Sequence, residues 1–583
     1  MTMRNRNPGR RTHMLLDGDW LFQIDRHEKG ESFGWHLPEY QDEDWLPVEV
    51  PGSWDCYLPE LWGYSGTAWF RRAFRVRKGW GPPETLGDGH RIILRFEGAN
   101  YATSAWLNGQ DVGHHEGGFD PFEFDITGQL DWQGENMLVV RVDNWPKINR
   151  IPNSYAGWWN YGGIYRSVRL LALPAVRIAD VFIHPEPVVD GKPLQVEVTL
   201  ANEGRAPARL GLSGMLISEE ASLDLPGQRL ELAPGQVTTL TLQATLEAPR
   251  LWSPETPHLY LAELTLHAGR KILDRQHVEF GIRKFEVRGK QLFLNNQPIF
   301  LTGFDRHEEY IDTGRVDNGR QLIQDLEWIQ RMNGKMVRMH YQAHPNLYEL
   351  CDQMGLLVFA EIPFWQVGIK DAKEWENPSV WQTAEAMLRT LVHDLKNHPS
   401  VVIWSVGNEC ATNLPEARPL VGHMVDLVKS LDASRPVAMV GMFGPKDMIY
   451  DLVDLPCLNT YFFHDQEGLR QRLEGTHALT PEKPLLITEF GAEAILDLHG
   501  EGYGSEEEQA SILEDHWKVF QEKRDYIAGA LIWCLADYWH MPMAPDFRWG
   551  LNRYFFTHGL LSLDRLPKVA VEAAARLFGE VNP

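Results

Sequence analysis

Past residue 285 the chain alternates repeatedly between short apolar runs and segments of helical period, and no other pattern in it limits the fold so strongly. The runs cover 299–303, 335–340, 356–362, 401–409, 437–442, 455–461, 485–490 and 530–535. Helical spacing and capping residues mark 321–332, 378–397, 420–431 and 505–523. Eight buried parallel strands with helices between them predict a (β/α)8 TIM barrel over 285–583. Most of these runs end on polar or aromatic groups: Asp305-Arg306-His307-Glu308, Arg338-Met339-His340-Tyr341, Glu361, Asn408-Glu409, Asn459-Thr460-Tyr461, Glu489, and Trp533 with Asp537. Reactive groups of a TIM barrel sit at the C-terminal ends of its strands, so this clustering marks the mouth.

Two of these ends carry the argument. Val401-Val402-Ile403-Trp404-Ser405-Val406-Gly407-Asn408-Glu409 is an apolar strand delivering an amide and a carboxyl, and Leu485-Leu486-Ile487-Thr488-Glu489-Phe490-Gly491 delivers a second carboxyl. A lone strand-end glutamate commonly caps the next helix or pairs with a rim arginine, and a lone histidine there commonly holds a loop. A pair of carboxyls facing one mouth is instead the minimum apparatus for glycoside hydrolysis.

Upstream the pattern is all-β. Residues 1–172 read as short alternating strands with turn punctuation, including an Asn108-Gly109 hairpin signal, and predict a jelly-roll-like sandwich. Residues 173–284 alternate strictly in 194–200 and 259–266 and have the size of an immunoglobulin-like sandwich.

The 80 acidic against 56 basic residues give a net charge of −24, which argues against a nucleic-acid or anionic-membrane partner. The basic N-terminus is followed by no apolar stretch, and no segment reaches membrane-spanning length. Five widely spaced cysteines without CxxC spacing indicate neither a disulfide framework nor a zinc site, and a cytoplasmic location is expected. The 22 tryptophans fit two uses, stacking on sugar faces or filling sandwich cores.

The sequence resembles glycoside hydrolase family 2, the group of β-galactosidases, β-glucuronidases and β-mannosidases, over nearly its whole length. The matching motifs are Asn160-Tyr161-Gly162-Gly163-Ile164-Tyr165-Arg166, Leu301-Thr302-Gly303-Phe304-Asp305-Arg306-His307-Glu308, the run 401–409 and Ile487-Thr488-Glu489-Phe490-Gly491. The resemblance implies a sugar-binding jelly roll, an immunoglobulin-like domain and a catalytic barrel. It implies Glu409 as general acid/base, Glu489 as nucleophile and Asn408 as a ligand of the sugar hydroxyl next to the anomeric carbon. Tyr461 would hold the nucleophile, Trp533 would face the sugar, and Asn459, His307 and His340 would surround it. In a retaining enzyme the two carboxyls stand roughly 5 to 5.5 Å apart. No cofactor and no essential metal are expected, and homo-oligomers occur in the family.

The C-terminal run Arg548-Trp549-Gly550-Leu551-Asn552-Arg553-Tyr554 is similar to the β-glucuronidase loop, with Arg548 and Asn552 matching its arginine and asparagine. Tyr554 stands where those enzymes carry a uronate-binding lysine, and Gly157 where they carry an aspartate. A uronate would then need Arg548, Arg553 or Arg338 for its charge. The expected activity is retaining exo-β-glycosidase action on terminal sugars, most like β-glucuronidase. A β-galactosidase or β-galacturonidase is the alternative, and a catalytically silent carbohydrate-binding protein the remote one.

Overall fold

A computed structural model describes residues 11–81, 90–147, 149–152, 157–462, 464–541, 551, 552 and 554–581. The chain forms two compact units. One runs to Trp145 and includes Tyr161–Leu251 and His258–Ile282; the other comprises Pro146–Asn160, Trp252–Pro257 and the residues from Arg283 onward.

The first unit is antiparallel β-structure. A six-stranded sheet built around Gly18–Ile24, Thr67–Phe74 and Asn136–Asp143 and a four-stranded sheet containing His90–Phe96 and Val168–Pro174 bury a shared core of Trp20, Trp54, Phe70, Leu94 and Val140. The strands Ala102–Leu107 and Gln110–Glu116 are joined through Asn108 and Gly109, both at positive φ (53° and 79°), as an Asn-Gly turn requires. Farther along, a three-stranded sheet centred on Leu194–Asn202 and a four-stranded sheet containing Tyr260–Ala268 enclose Val196, Val198, Leu212 and Leu264. Alternate residues of these strands point inward, which is why their sequence alternates.

The second unit holds the closed barrel. Its strands are β1 (Leu301–Asp305), β2 (Met336–Met339), β3 (Leu357–Glu361), β4 (Val401–Asn408), β5 (Val437–Gly441), β6 (Leu455–Asn459), β7 (Leu485–Phe490) and β8 (Ile527–Ile532). Every residue of these strands is buried, which explains apolar runs without alternation. Around them run α1 (Gly319–Arg331), α2 (Pro345–Met354), α3 (Pro378–Leu395), α4 (Ala417–Leu431), α5 (Gln466–His477), α6 (Glu506–Glu522) and α7 (Ala570–Gly579). Side chains cap several: Asn318 accepts from the Gln321 amide, Asn377 from Ser379, and Ser505 from Glu508 ahead of three glutamates in the first turn of α6.

Cys351, Cys410, Cys457 and Cys534 are buried in this unit. Among the described residues no helix is long and apolar enough to cross a membrane.

Candidate active site

Register breaks shape the mouth. The pairing of β4 with β5 shifts between Ser405 and Asn408, that of β6 with β7 between Leu458 and Asn459, and that of β7 with β8 between Ile487 and Phe490. Such irregularities re-aim the side chains at a strand's end. At Gly407 a side chain would meet the Phe364 carbonyl at 2.7 Å, so only glycine lets β4 pass this loop. Two residues on, Glu409 adopts φ 51°, left-handed backbone in a residue with a long side chain, and its N–H donates to the Val440 carbonyl at 3.0 Å.

The result is a narrow cavity lined by Gly157, Trp158, His340, Trp365, Asn408, Glu409, Glu489, Trp533, Tyr538 and Phe556. Three indoles and a phenyl ring form apolar walls, and an amide, an imidazole and two carboxyls supply the polar contacts.

Below the cavity lies Arg338, which is fully buried. Its Nη1 donates to Glu489 Oε1 at 2.9 Å and to Asp305 Oδ1 at 2.7 Å; its Nη2 donates to Asn408 Oδ1 at 2.9 Å and to Glu361 Oε2 at 3.2 Å. Glu361 also accepts from Ser405 Oγ at 2.7 Å and pairs with His340 Nδ1 at 2.8 Å. Asn459 bridges the other side, its Nδ2 donating to Asn408 Oδ1 at 3.2 Å and Glu409 Oε1 at 3.0 Å while its Oδ1 accepts from Thr488 at 2.8 Å. Glu489 completes its partners with the Tyr461 hydroxyl, 2.8 Å from Oε2. An unbroken chain of hydrogen bonds thus links the two glutamates.

Burial raises the pKa of both, and at Glu489 the neighbouring Glu409 raises it further while Arg338 and Tyr461 oppose. At Glu409 burial is opposed by the Asn459 hydrogen bond, then by the Arg338 charge and the Trp365 hydrogen bond. Two buried acids this closely linked titrate as a pair. Glu361 behaves differently: burial would raise it, but Arg338 and His340 outweigh that and lower its pKa. Burial and then Arg338 push His340 down to about 4, so its ring is neutral near pH 7.

The structure brings Glu409, Glu489, Asn408, Asn459, Tyr461, His340 and Trp533 together. His307 joins them at the rim, its ring 5.5 Å from both His340 and Trp533 and its Nδ1 3.2 Å from the Tyr341 hydroxyl. Asn552 does not line the cavity; it is exposed, and its Oδ1 accepts from the Tyr554 amide at 3.0 Å. Arg548 and Arg553 lie outside the described residues. Arg338, which the sequence offered for a substrate carboxylate, has its two terminal nitrogens engaged beneath the floor by three carboxyls and an amide.

Trp365, Tyr538 and Phe556 were not anticipated. Trp365 comes from a loop, and Tyr538 and Phe556 from a pair of two-residue strands too short to show a period. Trp158, Trp365 and Trp533 wall the cavity, while Trp20, Trp54 and Trp69 fill the first unit.

Oxygen and nitrogen atoms of Asp305, His340 and Glu489 lie within 4.8 Å of one another, a spacing that suits a cation. The Arg338 guanidinium, bonded to both acids, already supplies that positive charge.

Comparison with known proteins agrees with this architecture. The TIM barrel domain of glycosyl hydrolases family 2 matches residues 285–582, the family's sugar binding domain matches 14–174, and a third family 2 segment matches 176–283. The β-glucuronidase of Paenibacillus borealis is 28% identical, with 97% of each chain covered, and that of Sus scrofa 29%, covering 95% of this chain and 88% of the other. The crystal structure of Ruminococcus gnavus β-glucuronidase superposes with a TM-score of 0.87 at 25% identity, over 99% of this chain and 98% of that one. A β-galacturonidase from Eisenbergiella tayi, solved with galacturonate, has the same fold, with a TM-score of 0.86 at 23% identity over 99% of each chain. With the barrel domain matched across more than half of its length, the chain belongs to glycosyl hydrolases family 2 and is a glycosyl hydrolase.

Proposed function

We propose that the chain is a retaining exo-β-glycosidase whose preferred substrates are β-glucuronides. The observation that carries this reading is the unequal company of the two glutamates. Glu489 is bonded directly to a guanidinium and a phenol, which favour its anion, whereas Glu409 takes its hydrogen bonds from neutral groups. Burial and the Glu409 charge raise Glu489 further than Glu409, but the two titrate as one pair, and the direct bond to Arg338 is the ground for placing the shared proton on Glu409. Glu489 attacks the anomeric carbon while Glu409 protonates the leaving oxygen. Glu409 then takes a proton from water, which releases the sugar with its configuration retained. Asn408, fixed between Arg338 and Asn459, presents its Nδ2 to a sugar hydroxyl. The indoles of Trp158, Trp365 and Trp533 take the apolar face of the ring and exclude water.

The β-glucuronidase relatives support the uronide preference. A β-galactoside or β-galacturonide preference is favoured by one specific feature: Tyr554 replaces the uronate-binding lysine, and the described lining residues include neither lysine nor arginine. We also infer a cytoplasmic setting, which suits the four buried thiols of the barrel unit.

A panel of p-nitrophenyl β-D-glucuronide, galacturonide, galactoside and glucoside separates these readings. The glucuronide is expected to give the highest kcat/KM. A galactosyl substrate winning by more than about tenfold, a difference of 1.4 kcal/mol, moves the assignment to the alternative. Proton NMR of the first-formed sugar should show the β anomer, and an α product would refute retention.

A further inference from the structure

The mechanism above uses one of the three carboxyls that meet Arg338 and leaves Asp305 without a task. Asp305 ends β1, fully buried, and its Oδ1 lies 2.7 Å from the same Arg338 Nη1 that reaches Glu489 at 2.9 Å. Its Oδ2 is buried with no hydrogen-bond partner. A bare, charged oxygen in such a place is costly, whereas a protonated one is tolerated. Asp305 and Glu489 also place oxygens within 4.8 Å of each other, so both cannot ionise without strong repulsion.

We propose that Asp305 is a positioning residue for Glu489. As the neutral acid it leaves the Arg338 Nη1 to the nucleophile, and as the anion it competes for that nitrogen and sets a second negative charge beside it. This rests on the reading of Glu489 as nucleophile.

The surroundings agree. The groups facing Asp305 are Arg338 from β2 and His340 just after it, Glu361 from β3, Glu409 just after β4 and Glu489 from β7. Beyond them stand Tyr461 after β6, and Cys534 and Tyr538 after β8. Among these groups Arg338 carries the positive charge; Arg306, next along the chain, is committed to Asp325 and the Tyr310 hydroxyl, and burial keeps His340 neutral and lowers the pKa of His307. Burial first, opposed by Arg338 and then reinforced by Glu361 and Glu409, pushes the Asp305 carboxyl up to about 8. Below that pH the acid is neutral. Above it the Oδ2 proton goes to water and Glu489 stays ionised, but the new anion beside it draws Arg338 Nη1 to itself and repels Glu489, so the nucleophile loses its aligned position.

The test uses a leaving group that needs no acid. With the 2,4-dinitrophenyl β-glycoside of the preferred sugar, kcat/KM reports the attack of Glu489 without acid assistance from Glu409. Wild-type kcat/KM, corrected for spontaneous hydrolysis, is expected to fall above about pH 8, approaching tenfold per pH unit. A profile flat to about pH 9.5 overturns the proposal. In Asp305→Asn, where the amide mimics the neutral acid, the ratio of kcat/KM at about pH 9 to that at about pH 6 should rise at least roughly fivefold over wild type. An unchanged ratio also overturns it. The wild-type measurement stands even where the variant fails to fold. Failure of the underlying reading looks different: the dinitrophenyl glycoside would not turn over, or Glu489→Gln would keep full activity.

Discussion

Two buried charge clusters of the barrel unit invite comparison because they share their components and differ in their ratio. At the Asp325 cluster one carboxylate on α1 is gripped by two cations, with Arg306 Nε at 2.9 Å and Arg565 Nε at 2.8 Å. Burial would raise its pKa, but the two guanidiniums win and lower it. At the Arg338 cluster one cation serves Asp305, Glu361 and Glu489, and two of the three have raised pKa values. Where cations outnumber acids the acid is pinned as an anion and the cluster is a lock. Where acids outnumber cations a proton must be shared among them, and a shared proton is what acid and base chemistry needs.

The comparison can be broken at either cluster. The largest effect is expected at Glu489: Glu489→Gln removes the attacking oxygen, and kcat/KM on an aryl glycoside should fall by roughly 10⁴-fold or more while the melting temperature holds or rises. Asp325→Asn should do the reverse. It leaves two buried guanidiniums facing an amide and should cost about 3–5 kcal/mol in denaturant unfolding, with KM of the folded enzyme unchanged. A depressed carboxyl contributes stability that is fully present above its unfolded pKa of about 3.9 and is lost as pH falls through the folded value, so the wild-type advantage over this variant should shrink on acidification. The smallest effect is expected at Tyr461. Tyr461→Phe removes one donor to the nucleophile, worth about 1.5–3 kcal/mol, and should lower kcat/KM by one to two orders of magnitude with little change in stability. Should Asp325→Asn lose activity but not stability, the distinction between the clusters fails.

The strands were legible because the barrel buries both of their faces, and each expected run overlaps an observed strand. β8 begins at Ile527, ahead of the expected 530, and takes in Gly529. In the structure it is a close approach, where a side chain would meet the Leu301 carbonyl at 2.5 Å. Helix α5 escaped notice because it buries only Leu469, Leu473 and Thr476, too few to set a period. The polar and aromatic strand ends announced which residues could meet. How Arg338 divides its bonds was not legible, since its acidic partners stand 33, 23 and 151 residues away and nothing local ties them together. Trp365 was hidden for a related reason: it reaches the cavity from a loop that bridges to Asn408.

The twisted backbone at residue 409 has an evolutionary corollary. A glycine or asparagine there would let the chain relax by about 1–3 kcal/mol, so random drift toward a sturdier protein leads away from a carboxyl at this position. A glutamate in that conformation gives up folding stability, and its place in the cavity beside Glu489 is what the strain serves.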